Sequence, residues 1–253
     1  QPAQIRVELV DTKSMGENHA FAMAQVTVDS KEWKKYQVVM KATQTNPKAI
    51  LRIFLEGTNA VDLEHVSLFP VDTWKGRENG LRKDLAETIA ALEPKFVRFP
   101  GGCVVHGGGD GFWNTYRWKN TIGPKEERVA QKNTWGYHQS MGLGYFEYFQ
   151  FCEDLGAEPI PILPVGVSCQ GAGGSWGLRE QAQMAVPMSE MDEWVDEALD
   201  LIEWANGDVT TEWGKKRAEA GHPEPFNLKY LGLGNEEKIT PEFEERFKYI
   251  YYK

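Results

Sequence analysis

The sequence predicts an α/β chain: an antiparallel β module followed by part of a (β/α)8 TIM barrel. Three observations lead there. Residues 1–70 break into short runs of Val, Ile, Leu and Phe separated by Gly, Asn, Asp, Ser or Pro, as successive strands do. After Pro70 helix and strand patterns alternate, which implies a parallel sheet, open or closed into a barrel. Only about three such units are present, too few for eight strands, and the last helix pattern reaches Tyr252-Lys253 with no Gly or Pro to stop it. The chain is therefore expected to be a piece of a larger barrel.

The predicted strands of the first module are Ile5–Val10, Ala20–Val28, Tyr36–Thr43, Ala49–Glu56 and Val61–Phe69. In the fourth, Leu51, Ile53 and Leu55 alternate with Arg52, Phe54 and Glu56, the period of a strand with one buried face. Leu81, Leu85, Ile89 and Leu92 then recur at helical spacing up to Glu93-Pro94, and Phe96–Phe99 follows as a buried strand. Phe146, Phe149 and Cys152 mark a second helix, with Gly156 as C-cap before the apolar run Pro159–Val167. A third helix has Ser189 as its N-cap, Met191, Val195, Leu199 and Ile202 on one face, and Gly207 just past its end. Its acids, Glu197 among them, read as a solvated face. Leu228–Gly234 is the next strand, and Thr240-Pro241 opens a last helix carrying Phe243, Phe247 and Ile250.

Composition excludes several classes of function. With 253 residues, 41% hydrophobic and 26% charged, the chain is neither disordered nor fibrous. No membrane span is present, because the longest apolar runs are about half of the roughly 20 residues required. The 28 Lys plus Arg against 37 Asp plus Glu leave a net charge of −9, which disfavours nucleic acid and suits an uncharged substrate. Cys103, Cys152 and Cys169 are too few for a disulfide scaffold, and no Cys/His cluster has metal spacing along the chain, so no zinc and no cofactor are expected.

Two constellations and one loop carry chemistry. Gly232-Leu233-Gly234-Asn235-Glu236-Glu237 lies at the C-terminal end of a predicted barrel strand, where barrel enzymes build their sites. Glycines weaken strands and mark close approach of a ligand or backbone. Alternation places Tyr230, Gly232, Gly234 and Glu236 on one face, aiming Glu236 into the barrel mouth, with Leu231 and Leu233 toward the helices. Glu237 reads as a helix N-terminal acid. In Arg98-Phe99-Pro100-Gly101-Gly102-Cys103, the Arg of an apolar strand must be paired or face a polar cavity; a structural salt bridge is the competing reading. The loop from Trp113 to Tyr137, with Tyr116, Trp118 and Trp135, offers rings on which sugars could stack or which simply anchor the loop.

The segments DTWKGR (72–77), RFPGGC (98–103), YRWKNTIGP (116–124), GLGYFEYFQFCEDLGAEPIPIL (142–163) and GHPEPFNLKYLGLGNEE (221–237) resemble glycoside hydrolase family 51, the α-L-arabinofuranosidases, in the branch shared by plants and gut bacteria. The resemblance implies residues 73–253 as the first half of a (β/α)8 catalytic barrel of the retaining clan, lacking strand 1 and strands 5 to 8. Residues 1–72 would be an incomplete β-sandwich of carbohydrate-binding-module type. It further implies Glu236 as general acid/base, Asn235 as partner of the sugar 2-hydroxyl, Arg98 as a pocket residue and Cys103 as a sugar contact, with the nucleophilic Glu beyond Lys253. A retaining glycosidase needs two carboxyls about 5–5.5 Å apart, one protonated and one ionised. Glu236 would serve as the first where burial keeps it protonated. His106 and Pro164 depart from the branch, which has Glu and Asn there, and many bacterial members have Asn in place of Cys103.

The implied activity is exo-acting removal of terminal L-arabinofuranosyl groups from hemicellulose or pectin side chains, without metal or cofactor. The alternatives are a non-catalytic carbohydrate-binding protein and another retaining glycosidase of the clan, an endoglucanase or xylosidase. The expected partner is an arabinose-containing polysaccharide or oligosaccharide, and the expected location secreted or periplasmic. Self-association, or pairing with the rest of the barrel, is expected of a half-barrel.

Overall fold

The computed structural model describes residues 2–11, 20–107, 112–133, 135–169 and 183–253. The chain divides into two compact units, Gln1–Leu68 and Phe69–Lys253, a boundary just ahead of the expected one at 72/73.

In the first unit β1 (Ala3–Asp11) lies between β2 (Ala20–Val28) and β3 (Ala49–Glu56), both antiparallel to it, with Ile5 opposite Val26 and Leu55. The strand period in β3 is present, but the covered face is the other one. Ile53 and Leu55 are exposed, whereas Arg6 pairs with Glu56 and stacks over the Phe54 ring, 4.5 Å from its centroid. An apolar face is buried only if something covers it, and here the Arg6 network covers the polar one. Tyr36–Thr43 and Val61–Phe69 form no strand. Thr43 N donates to the Phe21 carbonyl, but neither run has a ladder partner among the described residues. Their apolar side chains, Val39, Leu63, Val66 and Leu68, stand exposed. The described residues of this unit form a single three-stranded sheet.

The second unit is built on a parallel sheet of order β4 (Phe96–Phe99), β7 (Glu158–Leu163), β8 (Gly232–Leu233), with Arg98 opposite Ile160 and Leu163 opposite Leu233. A two-stranded ribbon, β5 (Gln131–Lys132) and β6 (His138–Gln139), sits in the long loop after β4. Strands β7 and β8 are shorter than the apolar runs 159–167 and 228–234 suggest: periodicity reports burial, and ladder pairing stops where the chain leaves the sheet. Around the sheet lie α1 (Lys83–Ala90), α2 (Tyr145–Leu155), α3 (Met191–Asn206), α4 (Glu212–Glu219) and α5 (Pro241–Tyr251).

Capping chemistry sets most helix ends. Gly156 closes α2 in the left-handed region at φ +63°, and Thr240 accepts from Phe243 N ahead of Pro241 at the start of α5. Thr211 caps α4, a helix that apolar periodicity does not reveal because its one buried side chain of size is Arg217. That guanidinium donates to the carbonyls of Trp204, Gly207, His222 and Pro223, tying α3, α4 and the following loop together. Ser189 is not the cap of α3; it lies in a 3-10 turn, Met188–Glu190, that leads into the helix.

The core of this unit is aromatic: Phe99, Tyr145 and Phe149 pack edge to face, and Phe149, Trp204 and Phe226 continue the stack. On α3 the buried side is Met191, Trp194, Val195, Ala198, Leu201, Trp204 and Ala205, so Leu199 and Ile202 are exposed, contrary to the predicted face. The two Trp residues shift the helix about its axis because they bury more area than Leu or Ile. Glu197 is buried, not solvated; Arg117 and Lys119 stand within 4 Å of it. The apolar stripe of α1 is likewise exposed at Leu85 and Ile89, and only Ala86 is buried.

Candidate active site at the strand ends

The carboxyl ends of β4 and β8 carry both constellations that the sequence singles out. Arg98, on β4, donates through Nη2 to Asn235 Oδ1 at 2.6 Å and through Nη1 to the Gly101 carbonyl at 2.8 Å. No ion pair holds it among the described residues, so the salt-bridge reading gives way to a fork clasping the loop after β8. Asn235 Nδ2 in turn lies 3.3 Å from Glu236 Oε2, and the Cys103 thiol donates to the same oxygen at 3.3 Å. Arg98, Asn235, Glu236 and Cys103 thus form one connected group.

The backbone there is turned sharply. Gly234 has φ +80°, and a Cβ on it would come within 2.6 Å of the Glu237 carboxylate. Glu236 itself is held at φ +58°, a conformation that costs a non-glycine residue on the order of 1 kcal/mol and collects at functional sites. Leu231 and Leu233 pack on the core and Tyr230 is exposed, but the strand ends at Leu233, so the expected alternation does not extend to Gly234 and Glu236.

The two adjacent carboxylates sit in opposite environments. Glu236, whose expected protonation depends on burial, is exposed. Glu237 is not at a helix N-terminus, since α5 begins at Pro241; its side chain is 3% exposed. Among the described residues its Oε1 has no hydrogen-bond partner, and it lies 3.8 Å from His106 Nε2. Burial raises the Glu237 pKa, and the neighbouring His106 ring works against that shift. His106, fully buried, also faces the Asn235 carbonyl with Nε2 at 2.5 Å. Pro164, beyond β7, is buried as well.

Cys103 is a thiol rather than a nucleophilic thiolate: burial, then the nearby Cys169 sulfhydryl, then Glu236 push its pKa up to about 12. Cys103 Sγ, a His106 ring nitrogen and Cys169 Sγ all lie within 4.8 Å of one another. Sequence spacing conceals this trio because Cys169 arrives on the segment after β7, and the fold alone brings it beside the β4 loop. The aromatic loop divides in two. Tyr116 and Trp118 are core residues, with Trp118 Nε1 donating to the Glu197 carbonyl at 2.9 Å, so they stack no sugar. Trp135 packs partly buried against the core, and Trp113 and Tyr137 are exposed. Among the described residues no helix is long and apolar enough to cross a membrane.

The chain resembles proteins of known activity. The family model described as the Alpha-L-arabinofuranosidase 1 domain matches residues 88–253. An extracellular exo-α-L-arabinofuranosidase of Streptomyces chartreusis is 47% identical over 88% of this chain and 27% of its own length. α-L-Arabinofuranosidase 1 of Arabidopsis thaliana is 40% identical over 83% of this chain and 28% of its own. The chain thus spans about a quarter of the length of these curated relatives. A solved arabinose-bound α-L-arabinofuranosidase of glycoside hydrolase family 51 shares the fold, with a TM-score of 0.73 over 99% of this chain and 39% of that one, at 24% identity.

Proposed function

The chain belongs to the α-L-arabinofuranosidases of glycoside hydrolase family 51, and from that premise we propose that its parent protein is a retaining, exo-acting α-L-arabinofuranosidase that removes terminal L-arabinofuranosyl groups from hemicellulose or pectin side chains. The observation that carries the reading is the hydrogen-bonded run from Arg98 through Asn235 to Glu236, set where β4 and β8 end. In this reading Glu236 protonates the leaving oxygen and then, as carboxylate, activates water. Its exposed carboxyl stands where a glycosidic oxygen can reach it. Asn235, fixed by Arg98, offers Nδ2 to the sugar 2-hydroxyl, a contact that strengthens in the transition state. Cys103 is in this reading a further contact to the same sugar. The nucleophilic carboxylate belongs to the parent enzyme outside residues 1–253, and the chemistry itself calls for no metal.

In the same reading residues 1–72 are part of a β-sandwich of carbohydrate-binding type, and residues 73–253 are the first half of the barrel. An arabinose-containing polysaccharide or oligosaccharide is the substrate. The exposed stripe on α1 lies against another copy or the remainder of the barrel. Secretion is inferred from the relative whose name is extracellular. The test is hydrolysis of aryl α-L-arabinofuranoside by the parent enzyme, beside aryl β-D-xyloside and a soluble glucan. Release from the arabinofuranoside alone supports the proposal. Release from the xyloside or glucan alone points to another retaining glycosidase, and binding of arabino-oligosaccharide without release points to a carbohydrate-binding protein.

A further inference from the structure

We propose that Cys103, His106 and Cys169 form a binding site for one soft divalent cation, with Zn2+ the best match. Their ligand atoms lie within 4.8 Å of one another, Cys169 and His106 are buried and Cys103 is partly so. A tetrahedral zinc with Zn–S of about 2.3 Å and Zn–N of about 2.0 Å spaces its ligands about 3.5–3.8 Å apart. Contraction by about 1 Å, within the range of side-chain rotation, therefore closes the trio on one ion.

The His106 ring points to a cation as well. Its two nitrogens each face a backbone carbonyl, Nε2 that of Asn235 at 2.5 Å and Nδ1 that of Gly107 at 3.4 Å. A neutral imidazole has one N–H, so it donates to one carbonyl and leaves a lone pair on the other nitrogen without a donor. Metal-ligating histidines use this arrangement, one nitrogen on the ion and the other held by a carbonyl. Two thiols and an imidazole favour Zn2+ over Mg2+ or Ca2+, which take oxygen ligands. Binding converts both thiols to thiolates and releases two protons to solvent. A water completes the fourth position, which leaves Glu236 free. The proposal rests on this geometry and not on the functional reading.

The test uses the full chain with its thiols reduced. Co2+ titration should give a thiolate-to-cobalt charge-transfer band and tetrahedral visible bands that saturate at one equivalent, and Zn2+ should bleach them. Zn2+ affinity, read by competition with a chromophoric chelator, should fall by at least about 10-fold in Cys103→Ser, Cys169→Ser and His106→Ala. It should be unchanged in Cys152→Ser, whose thiol lies in the α2 core. Circular dichroism checks that each variant is folded, and the wild-type cobalt spectrum decides the matter if one is not. Cobalt binding without a thiolate band, or undiminished Zn2+ affinity in folded Cys103→Ser and Cys169→Ser, would overturn the site.

Discussion

Arg98 and Asn235 are 137 positions apart, yet Arg98 Nη2 donates to Asn235 Oδ1 at 2.6 Å, joining the ends of two strands that are not neighbours in the sheet. Strand β7 lies between β4 and β8, so the bond spans the central strand and fixes the loop bearing Glu236. A Lys at 98 keeps the charge but loses the planar fork that reaches both Asn235 and the Gly101 carbonyl. Hydrogen bonds to charged groups contribute about 1.5–3 kcal/mol, so Arg98→Lys should lower kcat/KM of the parent enzyme by about 10- to 150-fold. A near-normal value would remove Arg98 from the positioning of the site.

Glu236→Gln keeps the shape of the acid and removes its proton. On arabinofuranosides with poor leaving groups, turnover of the parent enzyme should drop by roughly 10² to 10⁴. Substrates with acidic phenol leaving groups need little protonation and should lose much less in the first step. Equal small losses on both would show that another group is the acid.

Glu237 makes stability depend on pH. Burial raises its folded-state pKa despite the opposing effect of the neighbouring His106 ring, so the folded chain binds that proton more tightly than the unfolded chain does. The associated stabilisation is greatest at low pH and is lost as pH rises from the ordinary carboxylate range through the raised value. Glu237→Gln removes this titration. Thermal melts of both proteins between about pH 4 and pH 8 should show a shallower decline for the variant across that window. Parallel curves would contradict the assignment.

Trp118 is wholly buried among Tyr145, Trp204 and Trp213. Trp118→Ala should cost about 3–5 kcal/mol of unfolding free energy, and Trp118→Phe less. In the parent enzyme Trp118→Phe should leave KM for an arabinofuranoside unchanged. A large KM effect without loss of stability would return Trp118 to the sugar.

Leu85, Ile89 and Leu92 are exposed on and just after α1, an apolar stripe of the kind that drives association. The wild-type chain should sediment with a concentration-dependent mass, and Leu85→Glu combined with Ile89→Lys should bring it toward the monomer. A monomeric wild type at high concentration would show that the stripe needs no cover.

Local signals in the sequence determined much of this protein. The extended runs at 20–28, 49–56 and 96–99, the glycine stop at 156 and the Thr240-Pro241 helix start follow from steric and capping preferences that act over a few residues. Arg98 and Glu236 stand out as charged groups at strand ends, and Asn235 is singled out through the family resemblance. Tertiary structure decided what periodicity cannot carry, namely which face meets a partner. It turned α3 onto its tryptophans, left the α1 stripe exposed, gave Tyr36–Thr43 and Val61–Phe69 no strand partner among the described residues, and hid α4 behind a single buried Arg217. It also decided the electrostatics of the site, burying Glu237 against His106 while exposing Glu236, and set Cys169 beside Cys103. Burial and charge proximity are properties of groups brought together from distant positions, so neighbouring residues with the same carboxylate acquire different chemistry only once the chain has folded.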